Sequence, residues 1–119
     1  MTELVISFAV DGLHFWPNAP AKYKEFGQPH RHLFKFVCWY PTKDSNDPNR
    51  RERELWELRQ EAISSLSPFA GLYPQGGVYD FGAMSCEGCA DFLKQAMGFS
   101  KVFCGEEEWL GAMVYGEQK

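Results

Sequence analysis

Residues 3–11 read Glu3-Leu4-Val5-Ile6-Ser7-Phe8-Ala9-Val10-Asp11, with large apolar side chains at every even position and a mixed set at the odd ones. Successive side chains of a strand point to opposite faces, so this period of two predicts a strand whose even face is buried. Gly12 is expected to end or bend it. His30–Tyr40, dense in Phe, Val, Trp and Tyr, predicts a second strand. The stretch between them, Phe15–Pro29, reads as a Pro- and Gly-rich loop, and a simple return through it makes the two strands an antiparallel pair.

Working outward, Lys43–Asn49 is polar turn material, and Asp47 before Pro48 offers an N-cap for a helix over Arg50–Leu66. Leu55, Leu58, Ala62 and Leu66 share one face of that helix, and its Arg and Glu residues form a solvated remainder. Ser67–Gly77 is a turn-rich connection. A second helix fits Ser85–Met97, capped by Ser85, ended by Gly98, and presenting Cys89, Phe92, Leu93 and Ala96 inward. Lys101–Gly105 and Trp109–Tyr115 read as short strands around Glu106-Glu107-Glu108. The order strand, strand, helix, helix, strand, strand predicts an α+β domain, a mostly antiparallel sheet with helices on one face.

With 119 residues the chain is expected to form a single domain over 1–119. Its 45% apolar and 16% aromatic content supplies a core and excludes a disordered tail. Twelve basic against sixteen acidic residues leave a net charge of −4, which gives no sequence-wide attraction to nucleic acid or an anionic membrane. Glu3 stands where a secretory signal carries positive charge, and no apolar run approaches a membrane span of about 20 residues. The expectation is a cytoplasmic protein whose four cysteines are reduced.

The chain has three histidines. His30 and His32 flank Arg31 on a predicted strand, so both imidazoles face the same side. Pairing of the two strands can bring His14, just past the first strand, beside them. Three neutral imidazoles with an open fourth position suit catalytic zinc, whereas isolated imidazoles satisfied by hydrogen bonds are the plain alternative. A rival site of His30, His32, Cys86 and Cys89 would be structural zinc, but a helical cysteine pair also suits packing against a sheet, the preferred reading. Asp80, between Tyr79 and Phe81, offers a carboxylate for proton transfer or a cap.

Val-Asp-Gly-Leu-His14, Pro-His30-Arg-His32-Leu-Phe, Ser85-Cys-Glu87-Gly-Cys-Ala90 and Val102-Phe-Cys-Gly-Glu106 together resemble the 6-pyruvoyltetrahydropterin synthase and 6-carboxytetrahydropterin synthase family across nearly the whole chain. The resemblance implies the tunnelling fold, a four-stranded antiparallel sheet with two helices on one face in the order ββααββ. It implies zinc on His14, His30 and His32, and a homo-oligomer with sites between subunits. It also implies that Glu106 anchors a pterin-like ring, because one carboxylate can accept hydrogen bonds from a ring N–H and an exocyclic amine together.

Two departures bear on activity. Phe26 stands where the family carries its catalytic cysteine, and no histidine follows His32. A family subgroup places glutamate at the cysteine position and cleaves dihydroneopterin-type side chains. Glu25, one residue away, is therefore a candidate base, with an ordinary loop glutamate as the alternative. Two functions follow as expectations: a zinc-dependent lyase on a pterin-like substrate using Glu25 or Asp80, or a binding module without turnover that captures a pterin- or purine-like molecule or a protein.

Overall fold

The computed structural model describes residues 2–43, 48–70, 77–107 and 110–116. Its strands are β1 (Thr2–His14), β2 (His30–Thr42), β3 (Val78–Gly82), β4 (Lys101–Glu106) and β5 (Leu110–Tyr115), and its helices are α1 (Pro48–Ser64) and α2 (Cys86–Met97). Two short 3-10 segments, Ala21–Gly27 and Ser67–Phe69, complete the described elements. No helix among the described residues is long and apolar enough to cross a membrane.

The strands form one five-stranded sheet in the order β3-β1-β2-β4-β5. The pairs β1–β2, β2–β4 and β4–β5 are antiparallel, but β3 lies parallel to β1. This mixed sheet overturns the expected tunnelling fold, with its four antiparallel strands in the order ββααββ. The strand missing from the sequence reading is Val78-Tyr79-Asp80-Phe81-Gly82, five residues bordered by glycines at 76, 77 and 82. So short an alternation does not stand out beside turn residues, and tertiary pairing decides it. Strand β3 pairs with residues 11–14 of β1, the segment that carries His14. Farther along that edge, Arg59 of α1 donates from Nε to the Ser7 carbonyl at 3.0 Å, occupying an acceptor that an open edge would present.

The long pair β1–β2 runs in unbroken register from Thr2 opposite Thr42 to His14 opposite His30. Leu4, Ile6, Phe8 and Val10 of β1, Phe34, Phe36 and Cys38 of β2, and Val102 and Cys104 of β4 are buried on one face. Leu58 and Ala62 of α1 and Cys89, Ala90 and Leu93 of α2 close over that core, and Leu66, just past α1, joins it. Leu55 and Phe92 are half-buried, and Ala96 is exposed, so α2 turns Ala90 rather than Ala96 onto the sheet.

The caps of α2 follow the sequence closely. The Ser85 hydroxyl accepts from the Gly88 N–H at 3.2 Å, and Gly98 ends the helix in the left-handed region at φ 72°. The Asp47 cap expected for α1, and Glu108 and Trp109 of the last turn, lie outside the described residues.

Gly12 does not end β1, which continues to His14. It sits under two rings: a Cβ there would lie 2.6 Å from Phe81 and 2.8 Å from Phe34. Gly12→Ala is therefore expected to destabilise the fold by about 1–3 kcal/mol through overpacking. At Gly88 an added Cβ meets Met84 at 3.4 Å, an ordinary contact, so Gly88→Ala should stabilise α2 by up to about 1 kcal/mol. Urea unfolding of the two variants checks this contrast; equal effects would remove the close approach at Gly12.

Candidate metal centre

The even-numbered face that is hydrocarbon along most of β1 and β2 becomes imidazole at one end. His14 is the Cα partner of His30, and His32 is the partner of Gly12, so the register puts all three rings on that face. Their centroids are 4.5, 4.9 and 5.4 Å apart. One ring nitrogen from each lies within 4.8 Å of the other two. Phe34, fully buried, makes the floor, its ring 5.0 Å from His14 and 6.2 Å from His32.

Backbone carbonyls assign the tautomers. His14 Nδ1 is 3.0 Å from the Met84 oxygen and His30 Nδ1 is 3.0 Å from the Gln28 oxygen. A carbonyl oxygen accepts and cannot donate, so both Nδ1 atoms carry a proton, and in the neutral ring Nε2 is then the atom with the lone pair. His14 Nε2 is buried and has no hydrogen-bond partner. Burial also pushes the His14 pKa below its usual 6.5, outweighing the upward pull of the Met84 carbonyl and Glu106. The result is a neutral, oriented imidazole with an unsatisfied acceptor, the state a metal ligand requires.

Among the described residues of the acidic run, Glu106 lines the site. It is the last residue of β4, opposite Phe34, and its Oε1 lies 3.1 Å from His14 Nε2 while Oε2 lies 3.5 Å from His32 Nε2. The Cys86 thiol, at the start of α2, donates to Glu106 Oε1 at 3.8 Å. Glu107 lies at the edge of the site, its Oε1 3.8 Å from His32 Nδ1, and also ties down the backbone. Its N–H donates to the Leu33 carbonyl and its Oε1 accepts from the Leu33 N–H, each at 3.0 Å, which ties the end of β4 to β2.

The expected proton-transfer residues are not brought to the histidines. Glu25 is exposed on the Ala21–Gly27 segment and does not line the cavity above the rings. Asp80 is exposed beside buried Phe81, and its Oδ1 accepts from the Gly82 N–H at 3.0 Å, the cap alternative. The mixed Cys/His zinc site does not assemble either. Among the described residues the metal-competent cluster is the histidine triad, and Cys89 is packed in the core. Burial alone pushes the Cys38 thiol up to about 12. A hydrogen bond between Cys86 and Cys104 pulls the Cys86 pKa down and the Cys104 pKa up.

Above the imidazoles opens a cavity of about 600 Å³, with His14, His30, His32 and Glu106 among its lining and Trp16, Phe26 and Met84 as apolar walls. The loop after β1 is strapped into this shape by two hydrogen bonds, Phe15 N–H to Gly82 at 2.9 Å and Trp16 N–H to Phe26 at 2.7 Å. Trp16 and Phe26 remain 45% and 41% exposed, enough area at the mouth to meet a ligand. The sequence reading gives neither a part in the cavity: Trp16 falls in the Pro- and Gly-rich loop, and Phe26 stands there at the resembled family's cysteine position. The available signal was a pair of large aromatics in a Pro-rich loop that leads directly into His-x-His. No protein-family model and no curated protein matches this chain, so the functional reading rests on the chemistry of the site.

The purified protein is expected to hold close to one zinc ion per chain, and His14→Ala, His30→Ala or His32→Ala should each remove most of it, as metal analysis after dialysis would show. Full retention in His14→Ala would take that residue out of the centre. In the metal-free protein, a neutral His14 contributes stability that is present above pH 6.5, its ordinary value, and is lost as pH falls through its lowered folded value. Denaturation with chelator at pH 8 and pH 5 should show that loss, and His14→Ala should diminish it.

Proposed function

We propose that this chain is a zinc-binding, pterin-synthase-like protein whose triad of His14, His30 and His32 holds the metal and whose cavity takes a flat pterin- or purine-like ring. The observation that carries the proposal is the buried His14 Nε2, which has no hydrogen-bond partner, converging with two further imidazoles beneath an aromatic-walled cavity. Burying an acceptor with no donor costs about 1–3 kcal/mol, a cost that a bound cation removes. Zinc held on these three nitrogens would supply a Lewis acid to an oxygen of the ligand. The protein's part is to fix the three nitrogens through Met84 and Gln28, to exclude water with Phe34 and Met84, and to offer the Trp16 and Phe26 rings to a planar ligand.

A lyase acting on a dihydroneopterin-type side chain needs a group that moves a proton at the reacting carbon. Glu25 and Asp80 do not face the cavity, and Glu106 is the carboxylate that lines it. This placement favours capture without turnover over lyase chemistry. The proposal further includes a cytoplasmic homo-oligomer. The sheet face turned away from the helices supports it: Val5 is 49% exposed and Tyr115 60% exposed there, and a second copy would cover both.

Calorimetry of the zinc-loaded protein with a neopterin and a guanine nucleoside should detect binding, and Trp16→Ala and Phe26→Ala should each weaken it about tenfold while retaining zinc. Absence of binding by any such ring would overturn the ligand assignment. Incubation with dihydroneopterin across pH 6–9 separates the two functions: recovery of intact substrate fits capture, whereas side-chain cleavage establishes the lyase. Light scattering should give a multiple of 13.7 kDa, and a strict monomer at micromolar concentration would contradict the oligomer.

A further inference from the structure

Cys86-x-x-Cys89 lies outside the histidine cluster, and its thiols meet a third one on the sheet. Residues three apart in a helix share a face, so Cys86 and Cys89 of α2 stand on the same side of it. On β4, Cys104 and Glu106 are two apart and share the face that α2 covers. The Cys86 thiol reaches Glu106 Oε1 at 3.8 Å and also hydrogen-bonds with Cys104. Cys89, one turn further along α2, hydrogen-bonds with Cys104 as well. Three of the chain's four cysteines therefore converge from two elements distant in sequence. Cys89 and Cys104 are buried, and Cys86 is the half-buried member through which a small reagent enters. We propose that Cys86 and Cys104 form a redox-active thiol pair, in which Cys86 reduces a hydroperoxide and Cys104 closes a disulfide onto it.

Attack on a peroxide requires a thiolate. Cys86 is the first residue of α2, directly after the Ser85 cap, where the partial positive charge of the helix end favours the anion. The Cys104 S–H donates to Cys86 and pulls the Cys86 pKa down, against the opposing effects of burial and of the Glu106 carboxylate. Glu106 Oε1 is in place to accept the Cys86 proton. The thiolate then attacks one peroxide oxygen. An S–O bond forms, the O–O bond breaks, and the departing oxygen takes up the proton that Cys86 gave away, leaving as water or an alcohol. Cys104, its proton held by the hydrogen bonds to Cys86 and Cys89 and by burial, attacks the sulfenic sulfur. The S–S bond forms, the S–O bond breaks, and hydroxide leaves with the Cys104 proton as water. Two thiols have lost two electrons to the hydroperoxide, and a thiol reductant restores them. In the disulfide Cys86 no longer has a proton to donate, so oxidation removes a hydrogen bond from a carboxylate that lines the cavity.

The test treats the reduced, natively folded protein with hydrogen peroxide near stoichiometry, then alkylates the remaining thiols in denaturant and maps the peptides by mass. Two of the four thiols should be lost to alkylation, in a Cys86–Cys104 cross-link that dithiothreitol reverses. Cys38, buried on β2, serves as the internal reference and should be alkylated in the same sample. Cys86→Ser, a change at a half-buried position, should leave its three remaining thiols alkylated after peroxide. In Cys104→Ala the sulfenic acid at Cys86 has no resolving thiol in reach of its first attack and should be trapped by dimedone. If Cys104→Ala does not fold, the wild-type peptide map and Cys86→Ser decide. Alkylation of all four wild-type thiols after peroxide, a cross-link that leaves out Cys86 or Cys104, or thiol loss that continues unchanged in Cys86→Ser would each overturn the proposal.

Discussion

The antiparallel register of β1 and β2, which sets His14 opposite His30 and Gly12 opposite His32, is the constraint on which the rest of the site depends. The side-chain period of a strand is two, so a slip of one residue would carry all of one strand's even positions to the other face. His14 would leave the site, and Leu4, Ile6, Phe8 and Val10 would leave the core with it. The apolar pattern that buries the core therefore also places the three imidazoles, and the two cannot be uncoupled. Gly12 and β3 enforce the register where it matters most. The absent side chain at 12 lets the Phe81 and Phe34 rings close over the strand, and β3 pairs with the very residues that lead into His14.

Energetically the site is the place where the core face is left incomplete. Most of that face ends in hydrocarbon covered by α1 and α2, but its last row ends in three imidazoles and a carboxylate. Each imidazole with a carbonyl partner on Nδ1 has its donor satisfied, which leaves the acceptors turned toward one another. Such convergence of lone pairs is costly unless positive charge, a proton or a metal ion, joins them. The start of α2 adds to this, because Cys86 contacts Glu106 from the helix end whose partial positive charge favours a carboxylate.

The parts that could be read in the sequence are those carried by strong local patterns. The even-position apolar run of β1, the placement of His30 and His32 on one face, the pairing that adds His14, and the Ser85 and Gly98 ends of α2 all follow from period, cap chemistry and strand geometry. Strand β3 does not, because Val78–Gly82 is too short and too close to glycines to declare itself before β1 is there to pair with it. Its absence from the sequence reading is also what made a four-stranded antiparallel sheet the expectation. The positions of Asp80 and Glu25 were invisible for a related reason: a carboxylate's type is legible, but whether it caps a turn or lines a cavity is decided by neighbours distant in sequence. Trp16 and Phe26 sit in a loop without periodicity, and only the Trp16–Phe26 backbone hydrogen bond turns them into walls.

X-ray absorption at the zinc edge of the loaded protein tests the centre most directly, because it counts the atoms bound to the ion and distinguishes nitrogen or oxygen from sulfur. The account expects one shell of nitrogen and oxygen at about 2.0–2.1 Å, with the outer scattering of three imidazoles and no sulfur contribution. A shell containing sulfur at about 2.3 Å would move the metal to the cysteines of α2 and β4, and would contradict the assignment of the centre to His14, His30 and His32.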